Sequence, residues 1–126
     1  MPDASVLETF KSPVSSPFVI EHVNEEFTSV CPKTGHPDFG RVIVRYCPAS
    51  SCVELKSLKL YFQSFRNEGI FYEAVTNQIL DDLVDVLQPR RMTVVGDFAV
   101  RGGTAGTVTA SYEAPAKKGR NGRKSR

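Results

Sequence analysis

Apolar and polar residues alternate along "FGRVIVRYC", residues 39–47. Val42, Val44 and Tyr46 fall on one side, and Arg41, Ile43 and Arg45 on the other. A period of two predicts a strand. Residues 18–30 alternate in part, through Phe18, Ile20, Val23 and Phe27, which predicts a second strand with an irregularity near Asn24. The period then lengthens. In "CVELKSLKLYFQSFRNEG", Leu55, Leu58, Phe62 and Phe65 recur at the spacing of one helix face, with Tyr61 beside them. Ser50 or Ser51 suits the cap and Gly69 the end. "IFYEAVTNQILDDLVDVLQP" repeats the pattern with Phe71, Val75, Ile79, Leu83 and Leu87, and Pro89 stops it. "RRMTVVGDFAV" and "TVTASYE" are β-rich, and "RGGTAG" between them suits a turn.

The predicted order is strand, strand, helix, helix, strand, strand. Neighbouring strands joined by short turns pair antiparallel. A four-stranded antiparallel sheet with two helices on one face is an α+β layer pair. Such a sheet has two open edges, and the prolines that could block them fall in loops. Edges are therefore expected to meet the edges of other copies and close a multi-subunit barrel.

Composition changes this picture at the ends. The chain has 126 residues, enough for one domain. Residues 1–17 hold Ser12, Pro13, Ser15, Ser16 and Pro17 and read as a flexible arm. The folded domain is expected over 18–113. The net charge is +2, but residues 117–126 hold six cations and no acid, so the remainder stands at −4. Residues 114–126 read as a basic disordered tail, suited to solubility or to an acidic surface such as RNA. No apolar run is long enough for a membrane span and the N-terminus shows no secretory pattern, so the expected location is the cytoplasm. Three cysteines, Cys31, Cys47 and Cys52, are an odd set, so at least one thiol is free.

Residues 28–39, "TSVCPKTGHPDF", hold the densest candidate chemistry. Pro32 fits the first position of a helical turn, which would set Cys31 at a cap where exposed amides favour thiolate. Gly35 and Pro37 bend the chain so that Asp38 can fold back toward the sulfur. A thiolate beside a carboxyl group is a nucleophile with a proton donor. Equally, Cys31 can be a small core residue and Asp38 a turn former. The five-residue spacings of Cys31 to His36 and Cys47 to Cys52 do not suit zinc, and no metal site is expected. Lys56 and Lys59, three apart on a helix, share a face. Either they are a solvated face or they join Arg101 in holding a phosphorylated cofactor. Gly102 after Arg101 lets a ligand approach the backbone closely. Glu73, early in the second helix, can accept two hydrogen bonds from a guanine-like edge, or can simply complement the helix dipole.

Three segments, "FTSVCPKTGHPDF", "ELKSLKLYFQSFRNEGIFYE" and "VVGDFAVRGG", together resemble the short form of the QueF-type nitrile reductases of queuosine biosynthesis. The likeness runs from about Phe18 to Glu113. It implies a tunnelling fold in which subunits join into barrels, such as paired pentamers, with active sites at their interfaces. It implies reduction of 7-cyano-7-deazaguanine to the aminomethyl base by two NADPH, with no nucleic acid or membrane required. On this resemblance Cys31 forms a covalent thioimide and Asp38 donates protons. Glu73 anchors the substrate, with Tyr72 beside it. Glu54 and Ser57 line the pocket. Lys56, Lys59, Arg101 and Gly102 belong to the NADPH site.

Two positions depart from the family pattern. Tyr72 stands where many members have histidine, and His36 where many have glutamine. Tyrosine still donates a hydrogen bond but is a weaker acid near neutrality. His36 is expected to face water. Two other readings use the same residues differently. An amidinotransferase on this scaffold would keep the cysteine and add ammonia to the nitrile on tRNA. A non-catalytic RNA-binding module would depend on the basic tail and not on Cys31.

Overall fold

In the computed structural model, residues 2–116 are described. The basic run 117–126 lies outside them, and with it most of the expected tail. The chain opens with a short 3-10 turn (Ala4–Val6) and β1 (Thr9–Lys11), and continues through β2 (Ile20–Val30), β3 (Pro37–Cys47) and β4 (Ser51–Val53). Helices α1 (Leu55–Gln63) and α2 (Tyr72–Leu87) follow, then β5 (Arg91–Arg101) and β6 (Thr104–Glu113).

The four long strands form one antiparallel sheet in the order β2-β3-β5-β6. The alternation seen in the sequence sets its inner face. Val44, Val94 and Ala110 stand in register across three strands, and all are buried. Both helices pack on this face. From α2 come Val75, Ile79, Leu83 and Leu87, all buried as expected, whereas Phe71, expected on the same face, is the exposed residue at the helix N-cap. From α1 come Leu58, Tyr61 and Phe62, with Phe65 just beyond; Leu55 is exposed instead. Tyr61 and Phe65 meet edge to face, with ring centroids 5.3 Å apart. The irregularity expected near Asn24 is a register shift between Asn24 and Phe27.

Helix ends follow capping chemistry. Glu54, not Ser50 or Ser51, caps α1: its carboxylate accepts from the amides of Lys56 and Ser57, both at 2.8 Å. The helix stops at Gln63, well before Gly69, because the Ser64 hydroxyl donates to the Tyr61 carbonyl at 2.6 Å and the chain turns there. α2 ends where Gln88 takes a left-handed conformation, φ 47°, with Pro89 behind it.

The structure differs from the reading of residues 1–17 as a flexible arm. β1 pairs antiparallel with β4, and Leu7 is buried in the core. The Glu8 amide donates to Ser57 Oγ at 2.9 Å, and the Glu54 amide donates to the Glu8 carbonyl at 2.9 Å. A three-residue strand whose side chains are all exposed has no alternation to read, so this pairing leaves little trace in the sequence.

Candidate active site

The loop between β2 and β3 is closed on itself by its backbone. The Cys31 amide donates to the His36 carbonyl at 2.9 Å, and the Gly35 amide donates to the Cys31 carbonyl at 2.8 Å. Gly35 has φ 75°, a conformation few side chains adopt. Cys31 therefore sits at the mouth of a tight turn and not at a helix N-terminus, since β3 begins at Pro37 and leaves no room for a helix. The expected bias toward thiolate survives with a different cause. The Thr34 hydroxyl is the main influence lowering the Cys31 pKa, followed by the amides of Thr34 and Lys33. Partial desolvation and the charge of Asp38 oppose it. The same Thr34 Oγ1 accepts from the His36 amide at 3.2 Å, which fixes the hydroxyl. His36 thus acts through its backbone, and its side chain is exposed.

Asp38 lies one residue inside β3 and is 5% exposed. The Arg101 guanidinium, at the end of β5, donates to Asp38 Oδ1 and, at 3.5 Å, to the Pro37 carbonyl. The β5–β6 turn delivers Arg101 there: Gly102 and Gly103 both have positive φ, 57° and 80°, and reverse the chain in two residues. Tyr72 and Glu73 open α2. The Tyr72 ring stacks on Phe98 with centroids 3.8 Å apart. Burial raises the Tyr72 pKa, and hydrogen bonding and proximity to the Asp38 carboxylate raise it further, so the phenol stays protonated.

These side chains share one cavity of about 280 Å³, lined by Cys31, Thr34, Asp38, Tyr72, Glu73 and Arg101, with Pro32, Ile70 and Phe71 as its apolar wall. Three widely separated stretches of sequence meet here. The structure thus gathers Cys31, Asp38, Tyr72, Glu73 and Arg101.

It does not gather the rest. Lys56 and Lys59 are exposed on α1, and Lys59 lines a different cavity, about 390 Å³, with His22, Glu25 and Gln63 among its walls. Within one chain the three cations do not converge; Arg101 sides with Asp38. Glu54 and Ser57 are also outside the Cys31 cavity. Their polar atoms are engaged in capping α1 and in tethering Glu8, and Ser57 is 3% exposed. Gly102 stands at the hairpin tip with open space around its Cα. Thr34 and Phe98 line or support the site and were not singled out from sequence. A threonine three residues after a Cys-Pro step is a turn signal, and Phe98 follows Val94 and Gly96 on the inward register of β5.

An NADPH molecule carries several phosphate charges, so its holder needs free cations. No ion pair among the described residues engages Lys56 or Lys59, and their helix is rigidly capped. These residues fit such a group.

Comparison with known proteins shows the family of the chain. A family model described as "QueF-like protein" matches residues 37–117. A protein of Chlorobaculum tepidum, named NADPH-dependent 7-cyano-7-deazaguanine reductase, is 64% identical over 95 residues, covering 75% of this chain and 81% of its own. Proteins of the same name from Chloroherpeton thalassium and Rhodopirellula baltica are 57% and 56% identical, covering 86% and 84% of this chain and 95% and 88% of their own. Among solved structures, the apo archaeosine synthase QueF-Like superposes with a TM-score of 0.72 over 81% of this chain and 99% of that one, at 22% identity, a likeness of fold. With the family model spanning most of the domain and relatives above half identity over four-fifths or more of their length, the chain belongs to the QueF family.

Proposed function

We propose that the Cys31 cavity reduces a nitrile, with Cys31 as nucleophile and Asp38 as acid. The protein is an NADPH-dependent 7-cyano-7-deazaguanine reductase of queuosine biosynthesis. The observation that carries the site assignment is the single cavity holding a thiolate-biased cysteine, a buried carboxyl group and the N-terminus of α2 with Glu73.

The chemistry follows from the residue types. A nitrile accepts hydride poorly until a soft nucleophile adds to its carbon. The Cys31 thiol gives its proton to the Asp38 carboxylate, the sulfur forms the new C–S bond as one π bond of the nitrile opens, and Asp38 passes that proton to the nitrogen. The resulting thioimide is the better electrophile. NADPH, when bound, would supply hydride: after the first, the C–S bond breaks to return the Cys31 thiolate and leave an imine, and a second hydride with a second proton gives the amine. Glu73 accepts hydrogen bonds from the deazaguanine edge, and the Tyr72 hydroxyl donates one. The Tyr72–Phe98 stack holds that hydroxyl beside Asp38. Lys56 and Lys59 serve as the cation platform for NADPH phosphates, with Arg101 and the Gly102 turn at its substrate end. Glu54 and Ser57 support the platform by fixing the start of α1, and reach a pocket only across a boundary between copies.

The single-chain cavity is open, whereas an imine on the way to the amine must be kept from water. Assembly supplies the missing wall. On the outer sheet face Val23, Ile43 and Val95 stand in register, with Val23 41% exposed, and β2 and β6 are unpaired edges. Phe39, Phe71 and Val100, near the cavity, are each more than half exposed. An apolar outer face with open edges suits edge-to-edge pairing of copies into a barrel with the sites at the seams. No helix among the described residues is long and apolar enough to cross a membrane.

The test is a turnover assay under reducing conditions with the nitrile base and NADPH. Wild type oxidises about two NADPH per nitrile consumed, and Cys31→Ala oxidises none. Absence of nitrile-dependent oxidation by wild type, or its persistence in Cys31→Ala, refutes the reading.

A further inference from the structure

β2 carries a buried group that the scheme above leaves unused. Ser29 is 0% exposed, and its Oγ has no hydrogen-bond partner among the described residues. Native interiors rarely leave a hydroxyl so, because it has given up water without replacement. The sheet register identifies its neighbour. Ser29 is the direct cross-strand partner of Asp38 in the β2–β3 ladder. Directly opposed residues of an antiparallel pair place their side chains on one face, with Cβ atoms roughly 4.5–5.5 Å apart. The backbone beside Ser29 is clamped: the Val30 amide donates to the Glu68 carbonyl at 2.9 Å, and the Ile70 amide donates to the Val30 carbonyl at 3.1 Å. Rotation of the hydroxyl between staggered positions is the freedom that remains.

We propose that Ser29 is a positioning residue for Asp38, its hydroxyl donating to the carboxylate that Asp38 becomes when its proton passes to the nitrile nitrogen. This rests on the reading of Asp38 as the acid. The new carboxylate is nearly inaccessible to water and needs donors from the protein. The groups facing it are the Arg101 guanidinium from β5, the Tyr72 phenol and Glu73 from α2, Cys31 and Thr34 from the loop, and Ser29 from β2. Arg101 sits at a hairpin end with a side chain 42% exposed, free to turn toward an anionic cofactor. Ser29 is fixed in the core and stays. It orients the carboxyl group from below while Arg101 and Tyr72 approach from the cavity side.

The test follows adduct formation on Cys31 by intact mass, with the nitrile base and no NADPH, across a pH series. Wild type and Cys31→Ala come first: adduct in the former and none in the latter establish the parent reading independently. Ser29→Ala then removes a donor to the charged form of Asp38, which makes that form harder to reach. Its rate profile moves to higher pH by about one unit, while Ser29→Thr, which keeps the hydroxyl, returns it to the wild-type position. A merely structural role would scale the rates without moving the profile. An adduct-forming Ser29→Ala protein whose profile superimposes on wild type, or a Ser29→Thr profile displaced as far as Ser29→Ala, overturns the proposal. Thermal melting of Ser29→Ala separates folding from chemistry. Loss of an unpartnered hydroxyl leaves the midpoint unchanged or higher, and collapse of the fold with Ser29→Thr also displaced counts against it.

Discussion

The ring of Tyr72 lies flat on the ring of Phe98, with centroids 3.8 Å apart and planes within 5° of parallel. Phe98 is buried in β5, so it anchors a residue of the cavity to the sheet. The arrangement gives Tyr72 two parts to play: the ring contributes packing, and the hydroxyl contributes a donor beside Asp38. Tyr72→Phe should keep the stack and lose the donor, weakening nitrile binding to a Cys31→Ala background by roughly three- to tenfold in calorimetric titration. Phe98→Ala should cost about 3–5 kcal/mol of stability and weaken nitrile binding further. Unchanged affinity in both variants removes Tyr72 from substrate recognition.

Thr34 is the chief cause of the lowered Cys31 pKa. The sign is direct: a hydrogen bond to the sulfur favours thiolate, so its loss shifts ionisation to higher pH. Cys47 and Cys52 are buried, which leaves Cys31 as the accessible thiol among the described residues. In Thr34→Val, the pH profile of iodoacetamide alkylation should move upward and the rate at neutral pH should fall. An unmoved profile assigns the thiolate bias elsewhere.

Lys56 and Lys59 lie apart from the Cys31 cavity, whereas Arg101 touches Asp38 within it. The two groups of cations should therefore separate experimentally. Changing both lysines to alanine should raise the NADPH KM by roughly tenfold or more and spare nitrile affinity. Arg101→Ala should slow formation of the Cys31 adduct even without NADPH. If the lysine changes abolish nitrile binding instead, the cofactor assignment is wrong.

Tyr61 joins the two helices through a 2.6 Å hydrogen bond from its hydroxyl to Asp82 Oδ2. Its side chain is buried, and burial followed by Asp82 pushes its pKa far up, so it stays a donor. Tyr61→Phe should lower unfolding stability by about 1–2 kcal/mol in urea, with kcat nearly unchanged. A large loss of kcat with intact stability would show that the helix pairing reaches the chemistry.

What the chain shows in advance depends on the length of each pattern. α2 repeats its apolar face over four turns and β3 alternates over most of its length, so both are readable. β1 and β4 are three residues each, too short for any period, and their pairing is flanked by a hydroxyl–amide contact between Ser57 and Glu8 that no spacing announces. The same limit applies to the site. Cys31 and Asp38 stand close in one loop and can be paired from spacing, whereas their company with Glu73 in one cavity is a product of the fold, and the roles given to all three rest on the family resemblance. The activation of Cys31 by Thr34 depends on a closed loop, and the pairing of Arg101 with Asp38 depends on where a hairpin turns back. Both are products of three-dimensional placement. So is Ser29, which in the sequence is an unremarked serine two residues before the cysteine.

The central claim is that Cys31 adds covalently to the nitrile carbon before any reduction. Intact-mass measurement after incubation with 7-cyano-7-deazaguanine in the absence of NADPH tests it most directly. The account predicts a mass increase equal to one whole nitrile molecule, located on the peptide containing Cys31 and lost in Cys31→Ala. An unmodified Cys31 in protein that turns over the nitrile once NADPH is added, or an adduct on another residue, would contradict it.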